Sequence, residues 1–242
     1  MSGTVTRRVH RAPIFCRVMN DSANGDEREL LRERVREVHR RLKERYPETR
    51  TLLQFENGYQ LLISVILSAQ TTDASVNSVT PELFRRFPDP SSLAEANLAE
   101  VEAIIKRTGF FRAKAKNITA AAHGLVERFG GKVPDAMESL LSLPGVGRKT
   151  AHVVRGTLFG KPSIIVDTHF SRVTRRLGLT RERDPVKIER SLEPIIPSEI
   201  QHGFSMRVNF HGRDCCSSRK PACFRCPIEQ LCPYEDKRMS ES

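Results

Sequence analysis

The sequence predicts an all-α protein of about ten short helices, and three observations carry that expectation. Apolar residues recur at helical spacing, as at Leu31, Val35, Val38 and Leu42. Glycines or prolines punctuate the ends of such runs, which is how helices stop. The only strand-like run is "SIIV", four residues long at 163–166.

Taken in order, "DERELLRERVREVHRRLKERY" forms an amphipathic helix with Pro47 beyond its end. "YQLLISVILSAQ" is apolar nearly all round, which marks a buried central helix. "TPELFRRF" takes Pro81 in its first turn. Asn97 and Glu100 can close a capping box on "LAEVEAIIKR", which Gly109 ends. "RAKAKNITAAAHGLVERF" stops at Gly130 and Gly131, and "DAMESLL" leads into a glycine hairpin. Beyond it, "RKTAHVVRGTLF" ends at Gly160 and "THFSRVTRRL" at Gly178. Helical stretches near 185–193 and 198–211 then precede a cysteine-rich segment. There is no low-complexity segment and no convincing internal repeat.

A chain of 242 residues is long enough for one large domain or two small ones. Forty Lys plus Arg against 29 Asp plus Glu leave a net charge of +11, which points to a polyanionic partner. Nucleic acid is the simplest, an anionic membrane surface the competitor. The longest apolar run, "LLISVILSA", falls far short of the roughly 20 residues that span a bilayer. Residues 1–20 hold Arg7, Arg8, Arg11 and Arg17, no acid and no apolar core. They read as a disordered basic tail rather than a secretory signal, with an organelle transit peptide as the alternative.

Five of the six cysteines lie between Cys215 and Cys232, with Cys16 apart. Without a secretory signal, a metal site is a better reading than a disulfide framework. The pattern Cys216-x6-Cys223-x2-Cys226-x5-Cys232 suits four thiolates around structural zinc or a [4Fe-4S] cluster, and the chemistry alone leaves both open. Cys215 is given no ligand role. Arg219 and Lys220, in the first loop, either reach a phosphate backbone or form a solvated basic loop.

In "LPGVGRKTA", Gly145 and Gly147 let the backbone approach a phosphate, and the amides that follow supply donors. An ordinary helix–helix turn is the bland reading. An ammonium at Lys149 sits at the positive end of a helix, where a cation is disfavoured, so it is either tolerated or used. Asp167 suits a helix N-cap, and Asp73 of "QTTD" another.

Four segments taken together, "LLISVILSAQTTD", "LLSLPGVGRKTAHVV", "IIVDTH" and the cysteine loop, resemble the endonuclease III family of DNA glycosylases in order and approximate spacing. The resemblance runs from about residue 52 to about residue 234. It implies a two-domain helix-hairpin-helix glycosylase fold: a six-helix barrel over 52–161, and a cluster domain combining 26–51 with 162–242, behind a tail at 1–25. It implies a [4Fe-4S] cluster on Cys216, Cys223, Cys226 and Cys232, and neither a nucleotide cofactor nor a catalytic metal.

By the same resemblance Lys149 is the nucleophile and Asp167 the catalytic carboxylate. Gln70 is a wedge and Phe110 a second, apolar plug for the hole left by an extruded base. Arg148 and Thr150 join Gly145 and Gly147 against the DNA, while Arg219 and Lys220 are added from their place on a loop that a cluster would pin at both ends. His152 stands where the family usually has Asn and reads as structural. The implied activity is a bifunctional glycosylase and abasic-site lyase for oxidised pyrimidines in double-stranded DNA. The protein is expected to be monomeric and away from membranes, in the bacterial cytoplasm and nucleoid, or in a eukaryotic nucleus or organelle. An adenine-specific mismatch glycosylase, which usually lacks a lysine matching Lys149, and a non-enzymatic DNA-binding module are the alternatives.

Overall fold

Residues 163–166 form no strand. In the computed structural model they run extended and buried against a helix, where Ser205 Oγ accepts the Ile165 amide at 3.2 Å in place of a ladder partner. The structure describes residues 25–240. The expected basic tail and Cys16 lie outside them, apart from Gly25, which opens the first helix.

Among the described residues the fold is all helical. The order is α1 (Gly25–Arg45), α2 (Gly58–Leu67), α3 (Asp73–Asn77), α4 (Thr80–Arg86), α5 (Pro90–Ala94) and α6 (Leu98–Ile105). There follow α7 (Phe111–Phe129), α8 (Met137–Leu141), α9 (Arg148–Phe159), α10 (Thr168–Arg176), α11 (Pro185–Leu192) and α12 (Gln201–Asp214). Single 3-10 turns at Lys106–Thr108, Ser198–Ile200, Cys223–Arg225 and Glu229–Leu231 complete it. No helix among the described residues is long and apolar enough to cross a membrane.

The apolar residues form two cores. The first surrounds α2, every residue of which from Tyr59 to Leu67 is buried, and draws on α3–α9. The second joins the stripe Leu31, Val35, Val38 and Leu42 of α1 to Ile164, Phe170, Val173, Ile188, Phe204, Val208 and Ile228. Helix α9 belongs to the first core and reaches the second at Gly156, where an added Cβ would lie 1.9 Å from His202 Nδ1 of α12. Helices meeting this closely need a residue without a side chain.

Two local expectations are corrected. Asn97 caps α6 through the Ala99 amide at 2.9 Å, but Glu100 turns away to Arg86 instead of closing the box. Thr72, not Asp73, caps α3, accepting from the Ser75 amide at 3.2 Å, while Asp73 pairs with Arg213 at 3.1 Å. In both cases a cation supplied by a distant helix outbids a backbone amide for the carboxylate.

Candidate active site and metal centre

The turn between α8 and α9 carries the hairpin. Gly145 has φ +77°, and a Cβ there would lie 2.9 Å from Asn117 Cβ and 3.1 Å from Ile66 Cγ2, so the position requires glycine twice over. Gly147 is extended, and a Cβ built on it meets nothing within 4 Å, leaving its face open. As the N-cap of α9 it offers no side-chain acceptor, so the first amides of the helix, at Arg148, Lys149 and Thr150, point outward unpaired. By contrast Asn57, Thr72, Asp89, Asn97, Asp167 and Asp184 all cap their helices with a side chain. The open end of α9 is therefore an anion seat by composition.

Three consecutive residues there have different surroundings. Arg148 is paired with Glu189 of α11, its Nε 3.0 Å from Oε2 and its Nη2 on Oε1. Lys149 is exposed and has no hydrogen-bond or ion-pair partner among the described residues. Thr150 is half-buried. His152, one turn on, is buried with Nε2 3.0 Å from Glu189 Oε1, close enough for an ion pair but not aligned for a hydrogen bond, and its Nδ1 has no partner. Burial works against the Glu189 carboxylate, yet His152 and Arg148 outweigh it and hold its pKa down to about 2.

Asp167 caps α10, accepting the Phe170 amide on Oδ1 at 2.8 Å. Its Oδ2 accepts from Asn209 Nδ2 of α12. Asn209 was not singled out in the sequence, and nothing local marks it, since 42 residues separate the partners. Lys149 and Asp167 make no direct hydrogen bond or ion pair with each other.

Gln70 and Phe110 share an unexpected property. They are the only non-glycine residues at positive φ among the described residues, at 53° and 46°. Gln70 lies past the end of α2 on an exposed turn, and Phe110 precedes α7 with 71% of its surface exposed. A bulky side chain in this backbone region is uncommon and is found chiefly where function or packing imposes it.

The cysteine segment folds around one cavity lined by all five of its cysteines, with Val173, His211 and Ile228 among its walls. Arg176 Nη1 donates to Cys216 Sγ at 3.2 Å. Cys215, Cys226 and His211 approach most closely, their ligand atoms within 4.8 Å of one another. The neighbouring Cys215 and burial push the Cys226 thiol upward, and burial does the same to Cys232. Two half-buried thiols that resist ionisation alone fit a centre whose positive charge makes them thiolates. Arg219 and Lys220 are exposed on the loop between Cys216 and Cys223, which Ser217 ties through its Oγ to Lys220 O at 2.6 Å.

Comparison with known proteins places this geometry in a family. A model described as the HhH-GPD superfamily base excision DNA repair protein matches residues 63–198. The endonuclease III of a Synechocystis strain is 48% identical over 203 residues, covering 84% of this chain and 93% of that protein. The endonuclease III of Escherichia coli K12 is 40% identical over 201 residues, covering 83% and 95%. A solved endonuclease III trapped as a covalent intermediate with DNA superposes with a TM-score of 0.80 at 39% identity, covering 86% of this chain and 99% of the other. With likeness of this degree over more than four-fifths of its length, the chain belongs to the endonuclease III family of the HhH-GPD superfamily.

Proposed function

We propose that this chain is a bifunctional DNA glycosylase and abasic-site lyase that removes oxidised pyrimidines from duplex DNA, acting as a monomer in the compartment that holds the genome. The observation that carries the reading is the contrast at the start of α9. Arg148 is neutralised by Glu189, while Lys149 beside it is exposed and unpaired on a turn whose amides are free.

The chemistry follows from those positions. The unpaired amides after Gly147 hold a phosphate and bring the sugar toward the helix end. The neutral amine of Lys149 attacks C1′, the bond from C1′ to the base breaks, and the base leaves with the bonding electrons. The amine gives up its proton as the new bond forms, and opening of the sugar ring leaves an imine. Loss of a proton from C2′ then expels the 3′ phosphate, and water releases the enzyme. Asp167 is ionised while the base departs and stabilises the cationic sugar, and it then takes the proton that Lys149 gives up. Gln70 and Phe110 occupy the space the extruded nucleotide leaves in the stack, a reading supported by their strained, exposed backbones.

Cys216, Cys223, Cys226 and Cys232 would hold a [4Fe-4S] cluster. Cys226 closes on His211 and Cys215 within 4.8 Å, while the four cysteines of the pattern together line one shared cavity, and likeness to the endonuclease III family supports the cluster over a single ion. A cluster bound there would supply sulfur–iron links at both ends of the loop that carries Arg219 and Lys220. The two apolar cores support a division into a barrel unit over 52–161 and a cluster unit of 26–51 with 162–242.

The deciding experiment is borohydride trapping on duplexes carrying an oxidised pyrimidine, a mispaired adenine or an abasic site. An adduct with the first and third identifies the glycosylase–lyase. No adduct on any of them, with no base released from any of them, would leave a DNA-binding module.

A further inference from the structure

The turns that carry Gln70 and Phe110 are joined by a side chain that takes no part in the chemistry above. Lys114, on the first turn of α7, is only 5% exposed. Its Nζ donates to Thr108 O at 2.8 Å and to Thr71 Oγ1, and the Thr71 hydroxyl donates onward to Thr108 O. Its own amide donates to Phe110 O at 3.1 Å. Thr71 follows Gln70 directly, and Thr108 stands two residues before Phe110, so the two segments that Lys114 joins are the ones that carry the strained residues.

A lysine is a poor choice for a buried gap. Methionine would fill similar space without desolvating a charge, and burial does push this ammonium below its usual range. What methionine could not do is donate to two chain segments at once. We infer that Lys114 is a positioning residue for base extrusion: its buried side chain fastens the Gln70 turn to the Phe110 turn, so that both side chains enter the duplex as one rigid body. The inference rests on the proposed roles of Gln70 and Phe110 as hole-filling residues, and it adds the device that couples them.

The test follows the fluorescence of a 2-aminopurine placed beside an oxidised pyrimidine, which reports unstacking, together with base excision and trapping at a preformed abasic site. In the full-length protein Lys114→Met should slow unstacking and excision by about tenfold, and leave trapping at the abasic site, where no base must leave the stack, within about twofold. In a Gln70→Ala/Phe110→Ala background the same change should add nothing, because Lys114 acts through those two residues. Thr71→Val, which keeps the lysine and removes one acceptor, should slow unstacking by a smaller factor and decides the matter if Lys114→Met does not fold. Unstacking at the wild-type rate in the folded variants, or an equal loss at the abasic site, overturns the coupling. If Gln70→Ala/Phe110→Ala itself unstacks the base normally, the hole-filling reading fails instead.

Discussion

Asp167 divides its carboxylate between two helices, capping α10 with Oδ1 at 2.8 Å from the Phe170 amide and accepting Asn209 of α12 on Oδ2. Both oxygens must accept. An asparagine has one accepting oxygen, so Asp167→Asn keeps the cap only by turning its N–H toward Asn209, whose amide then turns over to accept. Base excision should fall by about 10²–10³-fold, cleavage at a preformed abasic site should fall less, and stability should drop by no more than about 1 kcal/mol. Single-turnover assays on the two substrates and urea denaturation measure all three.

Lys149→Ala should abolish strand cleavage and the borohydride-trapped adduct while leaving affinity for an abasic-site analogue within about tenfold, since one phosphate contact is a modest share of binding. The side chain has no partner to leave stranded, so the variant should unfold at the wild-type temperature. An adduct formed at the wild-type rate would assign the nucleophile to another amine.

Glu189 gives stability a defined pH dependence. Its folded pKa, about 2, lies below its ordinary 4.5, so its contribution is full above 4.5 and is lost as the pH falls toward 2. Glu189→Gln should cost about 1–3 kcal/mol at pH 7, because Arg148 and His152 lose their charged partner. The gap between wild type and variant should narrow on titration to pH 3. A gap that stays constant in urea denaturation over that range would show that the charge is not what matters.

Purified protein should be brown and contain iron, and Cys223→Ser should lose the iron and much of the folded material. A colourless, folded preparation with stoichiometric zinc would replace the cluster with a single-ion site.

If Arg219 and Lys220 each contact a phosphate, changing both to Ala should weaken binding to damaged and undamaged duplexes alike. The slope of log affinity against log salt should become shallower by roughly 1.8. An unchanged slope would leave them as solvated surface.

The helices were legible in the sequence because each needs only its own apolar stripe and a stop, as α1 shows with four buried residues and α7 with left-handed Gly130 at its end. The hairpin, the Asp167 cap and the cysteine cavity were legible for a related reason, since each is written in a short local segment. What stayed hidden are polar pairs between distant segments. Arg148 finds Glu189 at a separation of 41 residues, and Lys114 finds Thr71 at 43. Such pairs leave no periodic trace. Lys114 also looks like any solvated lysine on a helix until the turns close over it, and Glu100 looked like a capping residue until Arg86 arrived beside it.

The pairing of α1 with residues from 164 onward sets an order of events during synthesis. The first core is complete in sequence by Val154, so it can close while the ribosome is still at work. Of the described helices α1 leaves the ribosome first, and it waits for its partner α12, complete at Asp214, on the order of 10–40 s at roughly 5–20 residues per second. Over that interval its apolar stripe has nothing to cover it. The same helix carries Arg40 between Glu37 and Glu44, and Arg32 on Glu29, a set of pairs spaced to hold an isolated helix together. Neutralising those charges should cost the finished protein little and raise the fraction that aggregates as it is made.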